Sequence, residues 1–379
     1  MSERLGDAIC TPGCWRIVAE GSGRPAHAAQ LGEGLIRVPA SKEVWVCISP
    51  TDRAGDIDQV KAIGWALDPQ YRCVDLADEY RRLQAARTAA PGDASALPPR
   101  AIVGIGRRRI EQASAIREWS GGVTRLIHIG RDRGCLKELD HLITTPAFRT
   151  SPSPKILTLA LAPSDRIRRL VTEPPGAGSR AAEADFRALL AERGIRPHWI
   201  NVFLGNPPDD RRRVWRRPVR LLAERLDRLA ARADADLVIT GSPRTDPALY
   251  DALSAALRRR HYLRRWSADD AFNPFDLMLR GSRHSVVTGD SISMISQLIE
   301  AGHRSLIFPW GENGTGMPAV MRGLTPWRPK RSKNLAVFCF GLYRRKLAAP
   351  LDGVSDFAQV TPQPAILDFL FQRLREGLP

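Results

Sequence analysis

Short runs of β-branched residues, each ending in glycine or small polar residues and followed by an apolar-periodic segment, recur along this chain and constrain its fold more than any other feature. In the first half, strand-like runs are Trp15–Ala19, Glu43–Ile48, Ala101–Gly106, Val123–Ile129, Asp140–Thr144 and Lys155–Leu161, with helix-like segments up to Leu35 and over 108–119. Residues 163–180 hold Pro163, Pro174, Pro175, Gly176 and Gly178, the composition of an interdomain connection. Beyond it the alternation restarts. Strands are expected at Pro197–Leu204, Ala235–Thr240, His261–Trp266 and Arg304–Pro309, with helices at 214–233, 247–259 and 364–376. Ala85 to Arg100, rich in Ala and Pro, reads as a surface loop. Strands alternating with helices build parallel sheets covered on both faces. The expected fold class is therefore α/β, with two Rossmann-like parallel-sheet domains facing a central cleft. Residues 1–165 would form the first, completed by a C-terminal helix within 350–379, and residues 180–349 the second.

The 379 residues suffice for two such domains. No run approaches the roughly 18–20 apolar residues of a membrane span, and Met1 to Asp7 lacks the basic-then-apolar pattern of a signal peptide, so a cytoplasmic location is expected. The net charge of +16 comes almost entirely from arginine dispersed over the chain. Clusters such as Arg211–Arg213 carry no interleaved aromatic platform, and no zinc-finger, RNP or helix-turn-helix signature accompanies them, which argues against nucleic acid. Solvated surface charge, an anionic phosphosugar substrate, or peripheral docking on the anionic inner-membrane leaflet each fit the excess. The six cysteines are scattered; Cys47 and Cys339 lie in apolar runs that read as strands, and none has the spacing of a metal site or a disulfide pair.

Three loops of the second half share one character. Val286-Val287-Thr288-Gly289-Asp290-Ser291-Ile292-Ser293-Met294-Ile295-Ser296 reads as a buried strand, a tight turn and a helix start, whose free N–H groups and dipole suit an anion. Gly205-Asn206 follows the strand before it, and Ser242-Pro243-Arg244-Thr245 follows another. Together they offer N–H groups, hydroxyls and a guanidinium, the groups that hold a diphosphate without a metal cage. Well-capped strand-to-helix turns with no ligand are the competing reading. Phe272-Asn273-Pro274-Phe275 fits either a nucleobase wall or a lid on the core. In the first half, Gly21 to Gln30 follows a strand and places His27 at a helix start, where an imidazole could serve as a base or be purely structural. Gly104-Ile105-Gly106-Arg107 lacks the third glycine of a dinucleotide fingerprint.

The set Gly23-Arg24-Pro25-x-His27-x-x-Gln30, Ile239 to Thr245, Phe272 to Phe275 and Val287 to Ser296 resembles a bacterial family related to the plant mitochondrial fission factor named for elongated mitochondria. The resemblance spans roughly residues 15–310. It implies a GT-B-like fold and a glycosyltransferase that moves a sugar from a nucleotide-sugar to a glycan or lipid acceptor of the cell envelope, with no cofactor and no metal. It further implies donor contacts from Gly205, Asn206, Ser242, Arg244, Thr245, Asn273, Thr288, Asp290, Ser291, Ser293 and Gln297. The acceptor side would use Gly23, Arg24 and Gln30, with His27 as the catalytic base. Asp290 is expected to cap the helix or orient a loop, because two anions repel. The family pattern has Gly where this chain has Ala26, and Glu where it has Gln297, a neutral group in place of a charged one. A nucleotide-sugar epimerase or hydrolase, or a non-catalytic interaction protein, fits the same scaffold.

Overall fold

The computed structural model describes residues 41–49, 52–89, 97–132, 134–148, 150–206, 216–267, 274–310, 334–352, 354–363 and 366–378. Gly23, Arg24, His27, Gln30 and Asn273 lie outside these residues, as does the expected strand Trp15–Ala19.

The first module runs Val44–Cys47 (β1), Ala54–Leu67 (α1), Arg72–Val74 (β2), Leu76–Ala89 (α2), Ala101–Ile105 (β3), Arg107–Trp119 (α3), Arg125–Ile129 (β4), His141–Thr144 (β5) and Ile156–Thr158 (β6). Asp165–Thr172 (α4) and Ala177–Glu192 (α5) lead into the second. That module contains Trp199–Leu204 (β7), Arg216–Arg232 (α6), Asp236–Gly241 (β8), Pro247–Ala256 (α7), His261–Leu263 (β9), Pro274–Gly281 (α8) and His284–Thr288 (β10). It continues through Ile292–Glu300 (α9), Arg304–Phe308 (β11), Leu335–Arg344 (α10) and Ala349–Pro350 (β12), and the chain closes with Ile366–Gly377 (α11).

Each module is built on a six-stranded sheet, ordered β2-β1-β3-β4-β5-β6 in the first and β12-β11-β10-β7-β8-β9 in the second. All neighbouring strands are parallel. The α/β, two-Rossmann-like fold class expected from the sequence is the fold observed. In the second sheet the chain walks outward from β7 through β9, then returns to the other side of β7 and walks outward from β10 through β12. The reversal between β7 and β10 is a topological switch point, where the loops leaving the two strands diverge and open a crevice. The first sheet reverses between β1 and β3.

One apolar cluster joins the modules. Val46 and Val60 of the first share it with Ile292, Ile295 and Leu298 of α9. The C-terminal helix α11 returns to the first module, where Phe371 meets the Trp65 ring edge-on at 5.0 Å and Gly377 packs beside Leu157. Among the described residues no helix is long and apolar enough to cross a membrane.

Two local expectations are corrected, and the stretch read as an interdomain connection proves to contain a helix. Residues 163–180 hold a helix, α4: Ser164 caps it by accepting the Ile167 N–H at 3.1 Å, and Asp165 in its first turn pairs with Arg168 and Arg169. The Ala-rich start of the expected 85–100 loop is the last turn of α2, alanine being the best helix former. Cys339 lies in the helix α10 rather than in a strand, while Cys47 is buried in β1 as expected.

Candidate active site

The second switch point brings together the three loops singled out in the sequence. Val286 and Val287 are fully buried in β10, and the strand ends on Thr288, whose hydroxyl accepts the Gly205 N–H at 2.7 Å. Two residues later the Asp290 carboxylate accepts the Asn206 N–H at 2.8 Å and the Trp310 indole N–H at 2.9 Å. Burial pushes the Asp290 carboxyl above its ordinary range, and hydrogen bonds from Thr288, Trp310 and Asn206 pull it back. Asp290 thus orients loops. The helix cap is Ser291, whose hydroxyl accepts the Met294 N–H at 3.4 Å.

Gly205 is required where it stands. A Cβ there would lie 1.9 Å from Asp290 Oδ2 and 2.5 Å from its Cγ. The absence of a side chain lets the end of β7 close onto the carboxylate.

The β8 loop is tied to the same point. Thr245 donates to the Leu204 carbonyl at 2.8 Å and accepts the Ser242 N–H at 2.8 Å. The Ser242 hydroxyl accepts the Arg244 N–H at 3.3 Å. Asn206 spans the two loops, donating from its amide to the Arg244 carbonyl and accepting the Asp246 N–H at 2.8 Å. Most of the polar side chains at this edge are therefore engaged in holding backbone. The Arg244 guanidinium is exposed and makes no ion pair among the described residues. Ser242 and Ser293 are partly exposed, and Ser293 approaches the first module: a Cβ on Gly55, in the first turn of α1, would lie 3.3 Å from its Oγ.

Two predicted residues sit differently from the rest. The Gln297 side chain is buried and donates to Asp58 Oδ2 at 3.1 Å, with the Ser164 hydroxyl at 3.5 Å, so its amide faces the first module. Phe275 is buried and packs on Phe203 at 4.9 Å, which makes it part of the core. Trp310 was not singled out in the sequence. It follows β11 at the same sheet edge, so the rule that picked the other loops could have found it.

At the first module's switch point, Asp52 accepts the Ser49 N–H at 2.7 Å and faces the Arg109 guanidinium at 3.3 Å. Gly106 precedes α3 with φ +88°, a backbone state that glycine alone adopts without strain.

Comparison with known proteins gives one family and a set of loose structural likenesses. The family described as Mitochondrial fission ELM1 matches residues 54–353. No curated protein matches the chain. Among solved structures, MurG of Acinetobacter baumannii is 10% identical with a TM-score of 0.40, over 89% of this chain and 95% of that one. The UDP-GlcNAc 2-epimerase of Methanocaldococcus jannaschii is 10% identical with a TM-score of 0.45, over 79% and 91%. Anabaena Alr3699/HepE, solved with UDP and glucose, is 10% identical with a TM-score of 0.45, over 89% and 98%. The strand order above stands apart from these likenesses.

Proposed function

On the premise that the chain belongs to the Mitochondrial fission ELM1 family, we propose that it is a GT-B-type glycosyltransferase that binds a nucleotide-sugar at the β7/β10 switch point. The observation that carries this reading is the lacing of three loop ends around Gly205 at one sheet edge, with the Arg244 guanidinium exposed on one of those loops. Such an edge presents fixed N–H dipoles and, in Arg244, a cation without an ion pair among the described residues. These are the groups that stabilise charge developing on a departing diphosphate, and because they are already held in place, little reorganisation is needed as the sugar leaves.

In this reading Ser242, Arg244, Ser291 and Ser293 face the diphosphate. Gly205, Asn206, Thr245, Thr288 and Asp290 hold the loops, and Asn273 would add a donor contact. The acceptor, a glycan or lipid of the cell envelope, would enter from the first module past Gly23, Arg24 and Gln30, with His27 taking the acceptor proton. The arginine-rich surface would let the protein rest on an anionic membrane from the cytoplasmic side. No cofactor or metal is part of this reading.

Calorimetry with a nucleoside diphosphate tests the donor site. Arg244→Ala and Ser291→Ala should each weaken binding by about 1–3 kcal/mol, the range of a charge-assisted contact. A wild-type protein that binds no nucleoside diphosphate would end the proposal. His27→Ala should lower turnover far more than donor affinity. Donor turnover that does not depend on an acceptor would point instead to hydrolysis or epimerisation.

A further inference from the structure

The seam between the modules carries polar groups that nucleotide binding does not use. Asp58 of α1 accepts three hydrogen bonds: from the Arg166 N–H at 2.7 Å, the Ser164 hydroxyl at 2.5 Å and the Gln297 amide at 3.1 Å. The first two donors lie at the start of α4 and the third on α9. Beside Gln297, the fully buried Ser296 hydroxyl accepts the Ala162 N–H at 2.9 Å. One turn further along α9 is Glu300, 2% exposed, whose carboxyl oxygens make no well-formed hydrogen bond among the described residues, the Ser164 backbone N–H being the one donor that pulls on them. The helix whose head forms one wall of the anion loops is thus fastened to the first module along the rest of its length.

Glu300 is the group out of balance in this cluster. A buried carboxylate with so little donor support is costly, so the neutral acid is favoured. Burial first, and Asp58 second, hold its proton well above the ordinary carboxyl range, against a smaller opposing pull from the Ser164 backbone N–H. The elements packed on α9 carry other charged and titratable groups: Asp56 and Lys61 on α1; Asp165, Arg166, Arg168 and Arg169 on α4; His284 on β10; and Arg304 on β11. Only Asp58 acts appreciably on Glu300.

We propose that Asp58, Ser164, Gln297 and Glu300 form a proton-dependent latch between the two modules, which couples their closure to nucleotide binding at the loops heading α9. Only the coupling rests on the nucleotide reading; the latch does not. With Glu300 neutral, the latch holds the Asp58 carboxyl and three donors aimed at it. Loss of the Glu300 proton places a second anion beside Asp58 in a medium of low dielectric, and separation of the modules, which lets water reach both, relieves the repulsion. The sign follows from linkage. The closed state binds the Glu300 proton more tightly than the open state, where Glu300 titrates as an ordinary carboxyl. Closure is therefore strongest in acid and weakens as pH climbs from the ordinary carboxyl range through the raised value. Gln297 suits this device because its amide meets the Asp58 charge without adding another.

The test uses the full chain from pH 5.5 to 9.5, with calorimetry against uridine diphosphate and small-angle scattering. Wild-type affinity should fall at least tenfold over this range while the radius of gyration grows. Glu300→Gln, which mimics the neutral acid, should keep its closed dimensions throughout. Its residual affinity change reports ionisation of the nucleotide itself, which subtracts from the wild-type curve. Gln297→Glu should open the molecule at a lower pH than wild type. Wild-type scattering that is flat with pH, or Glu300→Gln following wild type, would overturn the latch. If Glu300→Gln fails to fold, an unshifted onset in Gln297→Glu overturns it equally. If uridine diphosphate binds at no pH, the nucleotide reading falls, and scattering with hydrogen exchange of the α9 amides still decides the latch.

Discussion

At the first switch point, between β1 and β3, a charged pair holds the loops: Asp52 on Arg109 at 3.3 Å, beside a glycine whose added Cβ would meet nothing within 4 Å among the described residues. At the second, between β7 and β10, short hydrogen bonds from neutral groups and one largely buried carboxylate do the fastening, around a glycine with no free space at all. The positions are topologically alike, yet among the described residues the glycine of the second is close-packed and that of the first is not. A packed edge fixes its N–H groups in advance, which is what an anion site needs if binding is not to pay for ordering the loops. Under the proposed function, the edge held by the Asp52–Arg109 pair falls to the acceptor side.

The two glycines give the largest test of this difference. Gly205→Ala must displace either Asp290 or the end of β7, and overpacking of this kind costs about 3 kcal/mol. Nucleoside diphosphate binding should disappear with it. Gly106→Ala meets no atoms but forces alanine to a positive φ, for about 2 kcal/mol of strain. Chemical unfolding of both variants should show comparable losses, while calorimetry shows lost nucleotide binding in Gly205→Ala alone. Equal binding losses would mean that both edges serve the donor.

Asp290→Asn comes next. Asparagine keeps the volume but offers only one acceptor to two donors, so an N–H of Asn206 or Trp310 must face an amide. The loss should be about 2 kcal/mol of stability, the scale of an unsatisfied buried donor. Trp310 emission should shift to longer wavelength as the indole loses its partner, and diphosphate affinity should drop. Unchanged stability together with an unchanged emission spectrum would remove Asp290 as the brace.

How much of this was legible in the sequence depended on whether the signal was local. The Thr288 to Ser293 turn declared itself because β-branched residues, a tight turn and a capping serine follow one another within a few positions, and the loops after β7 and β8 did so for the same reason. Residues 48–100 resisted. The strand β2 is only Arg72-Cys73-Val74, partly exposed and without alternation, and α1 buries Ala62, Gly64 and Ala66, which give little hydrophobic contrast. Helix α4 hid inside a proline-rich stretch because its cap depends on a single serine. The hydrogen bond between Gln297 and Asp58 joins positions 239 residues apart, and neither residue has a local pattern that points to the other. The sequence therefore marked Gln297 as unusual for its neutral side chain, whereas only the packing of α9 against α1 and α4 showed which partner that neutrality serves.

The smallest expected effect belongs to the charged pair of the first module. Arg109→Gln keeps a polar group but loses the charge facing Asp52, which retains the Ser49 N–H at 2.7 Å. At 3.3 Å and with partial solvent access, the pair should contribute about 1 kcal/mol, visible as a small shift in the urea midpoint. Because this edge is assigned to the acceptor side, donor affinity should not move, and acceptor KM should rise instead. The informative result is the split between the two. A loss of nucleoside diphosphate affinity as large as that of Arg244→Ala would place the Arg109 guanidinium within the donor site. The diphosphate would then be clamped from both modules, and the contrast between a donor edge and an acceptor edge would give way to a single site assembled only when the seam along α9 is closed.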